Sequence, residues 1–193
     1  HDGVLDDYVF VDDYASAALD FFKMDREDLG KGYYYSIAEL VSIYLCDTDF
    51  LAHFSGDATV EDDVPLTWFD AATELLRDRA EVSVVNLAWD LKFSEVDKDS
   101  MFLEETFAYG YGFSDQMYII RSDEFKEDIY TYSHPDSDRY PRYGGELFEK
   151  RVDSWMRVRN RLRATSRQWS YRHSNFPAWH SLKGILWRVL RKY

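Results

Sequence analysis

The sequence predicts an α/β fold: a mixed, mostly parallel sheet flanked by helices. Three observations predict it. Apolar runs of strand length alternate along the chain with stretches whose apolar residues recur at helical spacing. The 193 residues are enough for one domain with a real core. Hydrophobic residues make up 46% and aromatics 18% of the chain, which excludes a disordered composition.

Taken in order, Tyr8 to Asp12 reads as a buried strand ending on Asp12 and Asp13. Leu29 to Tyr35 is a Gly- and Tyr-rich loop. Ser36 to Cys46 reads as a helix, because Ile37, Leu40, Val41, Ile43 and Tyr44 fall on one side. Asp49 to Ser55 is a short apolar strand bounded by turn residues. Pro65 to Leu76 reads as a helix with proline in its first turn. Val82 to Leu87 and Met117 to Arg121 are further strands. Gly145 to Arg163 reads as one long charged helix, and Ala178 to Tyr193 as an amphipathic one. The loop over 132–145, rich in Pro, Asp and Gly, is long enough to be functional.

Charge is uneven. The net charge is −13, yet residues 150–193 hold twelve of the 23 Lys and Arg and a single acid, Asp153. An acidic body of that kind repels phosphate backbones, so no nucleic-acid partner is expected. One cysteine, Cys46, excludes an internal disulfide and a cysteine metal cluster, and points to a cytoplasmic protein. No apolar run reaches membrane-spanning length. His1 in place of Met reads as a fragment or a trimmed start, and no stretch reads as a signal peptide.

The segment Phe50-Leu-Ala-His-Phe-Ser-Gly-Asp57 carries the most chemistry. Ser55 and Gly56 let the backbone turn, which puts Asp57 at the strand's C-terminal edge. Ligands of open α/β sheets bind outside those edges. A carboxylate there can hold a divalent cation, and the cation can hold a phosphate. The literal Asp47-Thr-Asp49 precedes the strand, at the remote end, and reads as a solvated turn. His53, inside the strand, reads as a core residue.

The order of elements resembles family-2-like glycosyltransferases with the GT-A fold. Val11-Asp12-Asp13-Tyr14-Ala15-Ser16 looks like that family's V-D-D-x-S strand end, with its serine one residue late. Ser55-Gly56-Asp57 is similar to the D-x-D motif with serine in place of the first aspartate. Gly110 to Arg121 looks like the turn from donor to acceptor side, and Gly144-Gly-Glu146-Leu-Phe-Glu149 stands where the family carries an acidic pair at a helix start. The resemblance spans about Tyr8 to His173 and implies a GT-A-like domain over 1–175, with 176–193 as a C-terminal amphipathic basic helix. The family's first strand and helix have no equivalent before Tyr8.

The resemblance implies transfer of a sugar from a nucleotide-diphosphate sugar to a glycan or other hydroxyl acceptor, with inversion and with Mn²⁺ or Mg²⁺. Asp57 would hold the cation and a late histidine, His173, would complete its shell. Asp12 and Asp13 would contact base or ribose. Ser55, Gly56, Arg121, Arg167 and Arg172 would contact the nucleotide, Arg167 and Arg172 as diphosphate partners. Glu146, or alternatively Asp115, would be the general base. Trp68, Trp89, Tyr109 and Tyr111 could stack on sugar or fill the core. Residues 178–193 could touch an anionic membrane peripherally or dock on the domain. Two alternatives stay open: an acidic, non-enzymatic interaction module of the immunity type, and a degenerate relative that binds nucleotide without turnover. In the enzyme Asp13, Asp57 and Glu146 converge on one crevice; in an interaction module they need not.

Overall fold

A computed structural model describes residues 6–140 and 145–174. The elements are α1 (Val11–Phe22), α2 (Arg26–Leu29), α3 (Tyr33–Leu45), β1 (Phe50–Phe54), β2 (Ala58–Val60), α4 (Leu66–Asp78) and β3 (Val82–Trp89). They continue with α5 (Phe93–Lys98), β4 (Phe102–Leu103), β5 (Phe107–Gly110), β6 (Met117–Arg121), α6 (Ser122–Phe125), α7 (Phe148–Val158) and β7 (Leu162–His173).

The seven strands form one open sheet in the order β1-β6-β3-β7-β5-β4, with β2 paired to the far end of β7. β3 and β7 are parallel. β1 and β3 both pair antiparallel with β6, so β1, β3 and β7 point the same way. The expectation of a mostly parallel sheet is corrected: β3–β7 is the one parallel pair among the described residues. The cause lies in the connections. β4 and β5 form a hairpin, and β6 enters from a short loop rather than from a helix, so neither makes the crossover that parallel pairing needs.

Both faces of the sheet are covered. Val84, Tyr118 and Ile120 pack with Leu40, Ile43, Phe148, Val152 and Trp155, from α3 and α7. Their strand neighbours Val85, Leu87, Met117 and Ile119 pack with Trp68, Ala72 and Leu76 of α4 on the other face. That alternation is the period-two rule applied to a sheet buried on both sides.

The predicted strand at Tyr8–Asp12 is not a strand. Tyr8, Val9 and Phe10 are exposed and the chain enters α1 at Val11. The physical reason is in the spacing: Val11, Ala15, Ala18 and Phe22 recur at helical intervals and bury one stripe, against Ile37 and Val41 of α3 or in the main core. Asp12 and Asp13 occupy the first turn, where carboxylates favour the helix dipole.

The predicted helix over Gly145–Arg163 is α7 followed by a strand. Asn160 takes a left-handed φ of 52° and the Arg161 N–H donates to Met156 O at 2.7 Å, a helix-ending motif. The chain then becomes β7, hydrogen-bonded between β3 and β5. Midway, Asn86 faces Thr165 but Ala88 faces Ser170, a bulge of β7. Ser166 Oγ holds it by accepting the N–H groups of Gln168 and Trp169, at 3.3 and 3.0 Å. No helix among the described residues is long and apolar enough to cross a membrane. The expected helix at 178–193 lies outside them.

Candidate functional site

The strands β1, β3 and β7 end at one edge of the sheet, where β6 begins. A cavity of about 280 Å³ opens there, lined by Asn86, Trp89, Asp90, Ser114, Gln116, Arg163, Tyr171 and His173. Its position is the one expected for a ligand of an open α/β sheet.

β1 delivers Asp57 to this edge. The Ser55 N–H donates to Gln116 O at 2.8 Å, and the Ala58 N–H closes a turn on Ser55 O at 3.0 Å. β2 then runs against the end of β7, with Ala58 opposite His173. Asp57 Oδ2 consequently lies 3.1 Å from His173 Nε2, across 116 residues of sequence. The pair is fixed from three sides. Ser55 Oγ donates to Asp57 Oδ1 at 2.7 Å, the Ser174 N–H donates to Asp57 O at 2.8 Å, and the His173 N–H donates to Asp90 Oδ1 at 2.9 Å. Partial burial pushes the Asp57 carboxyl up, but the hydrogen bonds from Ser55 and His173 outweigh it and hold it below the ordinary value. Asp57 is therefore an anion with one well-placed partner.

Gly56 is exposed, is not among the residues of positive φ, and a Cβ there would meet nothing. The turn does not need glycine, which corrects the role expected for it. The strain lies across the cavity, at Asp90 and Leu91, with φ of 49° and 58°. Such left-handed residues cost on the order of 1 kcal/mol each. The Asp90 N–H, donating to Tyr171 O at 2.8 Å, and the Leu91 N–H, donating to Ser170 Oγ at 2.9 Å, hold them there.

Behind Gln116 lies a half-buried acidic group that sequence reasoning only half found. The Asp115 N–H donates to Glu149 Oε1 at 2.9 Å, and the two carboxyls are neighbours. Burial, then the Asp115 charge, pushes Glu149 up to about 8. Burial, then the Glu39 charge, raises Asp115. Two carboxyls so placed each disfavour ionisation of the other. Glu39 is itself buried, accepting the Tyr118 hydroxyl, with His53 Nε2 3.2 Å away. That contact is off hydrogen-bonding geometry, since the His53 Nε2 counts as unpartnered. His53 stacks on Tyr118 at 4.7 Å, inside the sheet as expected. Gln116 joins the two groups: its Nε2 donates to Asp115 Oδ1 at 3.3 Å, and its Oε1 is 3.1 Å from Ser55 Oγ.

Several expected site residues lie elsewhere. Asp12 and Asp13 are exposed on α1 and line no part of the cavity. Glu146 is exposed, paired with Lys150 at 2.8 Å, and lines a separate hollow with Asp138, Tyr140 and Gly145. Asp13, Asp57 and Glu146 thus do not converge. Arg121 sits at the opposite end of the sheet, donating to Leu76 O, to Val82 O at 2.8 Å and to Glu124 at 2.5 Å. Arg167 is clamped by Asp97 at 2.8 and 3.0 Å. Arg172, exposed beside His173, pairs with Glu61 at 3.0 Å. Each of these cations meets an acid of this acidic chain before it could meet a ligand. Trp89 lines the cavity, while Trp68 and Tyr109 are core and Tyr111 bonds Asn160. Asp47 and Asp49 are exposed, as expected of a solvated turn.

A larger hollow of about 540 Å³ opens at the other end of the sheet, around Asp49, Leu76, Arg121, Glu124 and Arg161. Two of its arginines, Arg121 and Arg161, already share Glu124, at 2.5 and 3.4 Å, and the third, Arg77, lies over the Phe50 ring. The smaller cavity is the better site because it keeps groups that have not been used. No cluster of three or more His, Cys, Asp or Glu side chains arranged to hold a metal ion occurs among the described residues. No family model, curated protein or solved structure matches this chain.

Proposed function

We propose that the chain is a GT-A-like glycosyltransferase domain that moves a sugar from a nucleotide-diphosphate donor to a hydroxyl acceptor. The observation that carries this reading is the meeting of Asp57 and His173 at the C-terminal edge of β1, beside the cavity. The donor set fits a divalent cation in part. One carboxylate oxygen and one imidazole nitrogen suit Mn²⁺, or Mg²⁺ less well, and the remaining ligands would be water and diphosphate oxygens. When bound, such a cation neutralises charge building on the diphosphate leaving group.

The chain's own residues supply the rest. The Asp90 carboxylate, accepting the His173 N–H, and the Ser174 N–H, donating to Asp57 O, orient the pair. Trp89 offers a flat apolar wall for a sugar ring. The Asp115–Glu149 pair replaces Glu146 as the proton acceptor: burial and neighbouring negative charge raise the proton affinity of both carboxyls, and Asp115 lies between Ser114 and Gln116 of the cavity wall. In the transfer the acceptor oxygen bonds to the anomeric carbon, the bond from that carbon to the diphosphate breaks, and the hydroxyl proton passes to the pair.

The test is a calorimetric titration with UDP, GDP and dTDP, with and without Mn²⁺. Metal-dependent binding of one nucleotide, lost in Asp57→Ala and in His173→Ala, is the expected result. No nucleotide binding by the folded protein would sink the reading. It would favour the acidic interaction module, for which the scatter of Asp13 and Glu146 away from Asp57 already speaks.

A further inference from the structure

Arg163 belongs to no motif, yet it is the most unusual charge in the molecule. It is 8% exposed, and its Nε has no hydrogen-bond partner. Its side chain forms no ion pair among the described residues. The acids whose charge reaches it are Asp99 and Asp153. Asp153 is already taken by Ser137 at 2.7 Å, Arg157 at 3.0 Å and Arg139 at 3.4 Å. A guanidinium cannot shed its proton to escape this position, and an uncompensated buried charge is strongly unfavourable.

The surroundings are built to admit it rather than to neutralise it. Gly112 has a φ of +121°, a conformation that favours glycine, and a Cβ there would meet Arg139 at 2.6 Å and Arg163 at 2.9 Å. The glycine makes room for two neighbouring cations. Arg163 also lines the cavity that His173, Gln116 and Asn86 line. The Asn86 oxygen, a natural acceptor for it, is occupied by the Thr165 hydroxyl at 2.8 Å. Arg163 is the arginine of that cavity's lining.

We propose that Arg163 is an anion-binding residue and that this cavity takes an oxyanion: a phosphate group or a sugar carboxylate held by the guanidinium fork. The inference shares its cavity with the transferase reading but needs neither the cation nor Asp57. Placed within that reading, and to that extent resting on it, the oxyanion is a donor phosphate or the carboxylate of an acidic sugar. A buried cation without an ion pair among the described residues is costly to stability and useful to binding, so its removal should help one and harm the other.

The experiment is calorimetry with pyrophosphate and, separately, glucuronate, in a chelator that removes divalent ions, on wild type, Arg163→Met, Arg163→Lys and Asp57→Ala. Thermal melts are run on each. The wild type should bind at least one of the two. Arg163→Met should weaken that binding by about tenfold or more and melt higher than wild type. Asp57→Ala should bind at least as well as wild type. A response to pyrophosphate assigns the phosphate source, and a response to glucuronate alone assigns the carboxylate. No response to either ion, or equal binding by Arg163→Met, overturns the proposal. Should Arg163→Met fail to fold, Arg163→Lys decides, with weakened binding in support and unchanged binding against. Metal-dependent nucleotide binding lost only in Asp57→Ala would spare the transferase reading while removing this inference. The converse pattern would do the reverse.

Discussion

The two ends of the sheet are made from the same kinds of residue and put to opposite uses. At the start of β1, Arg121 and Arg161 close on Glu124, and Arg121 also caps the carbonyl oxygens of Leu76 and Val82. At the end of β1, Asp57 and His173 pair with each other but keep exposure of 33% and 28%, and Arg163 forms no ion pair among the described residues. Charges that satisfy each other stabilise a fold. Charges held in place but left incomplete are suited to a ligand.

The comparison can be broken most forcefully at Glu124. Glu124→Ala leaves Arg121 half-buried without its acid, so the protein should lose about 3 kcal/mol of stability in a urea melt, with nucleotide binding intact. Impaired binding in a variant that still folds would erase the contrast. Asp57→Ala should do the opposite, lowering Mn²⁺-dependent nucleotide affinity about 100-fold, or about 2.7 kcal/mol, with little change in melting temperature.

Acidity sharpens the contrast next. Unfolded glutamate loses its proton near pH 4.3, while Glu149 in the fold keeps its own up to about 8. Over that window the native state holds more protons than the unfolded state, so stability falls as pH rises. A melt series should lose about 5 °C or more across it, and Glu149→Gln should flatten the slope. A flat wild-type profile would deny the carboxyl pair. Ser55→Ala removes one hydrogen bond that keeps Asp57 ionised and should weaken the metal-dependent affinity by about fivefold, roughly 1 kcal/mol. The smallest effect is expected at Gly56→Ala, within about 0.5 kcal/mol in stability; a large loss would mean that the turn needs its glycine after all.

The sequence made some of this legible for identifiable reasons. α3 and α4 were readable because their apolar residues recur at helical spacing, and β1, β3 and β6 because each is a short apolar run of strand length. α1 misled because Tyr8-Val-Phe-Val looks like a strand, while its true stripe runs on through small alanines. β7 was hidden because most of its buried positions are polar, Arg163, Thr165, Ser166 and Ser170 beside Ala164 and Tyr171; Thr165, Ser166 and Ser170 bond to neighbours that only the fold supplies. Asp57 and His173 stood out as a strand-end acid and a late histidine, although nothing local brings them together. Glu149 stood in the same acidic stretch as Glu146, but only Glu149 lies within α7, and nothing in the sequence showed that the helix turns it inward while Glu146 stays exposed. For Arg163 there was none: a buried cation looks like any other arginine until its surroundings are known.

The placement of β7 has a consequence for how the molecule is made. It is the last of the described strands along the chain, yet it fills a central slot, between β3 and β5. During synthesis those two neighbours emerge first, each with an unpaired edge waiting for a segment not yet translated. The nascent chain is thus most prone to aggregate just before it is competent to bind anything. Its gain of function and its escape from that hazard arrive together, when one strand slides home.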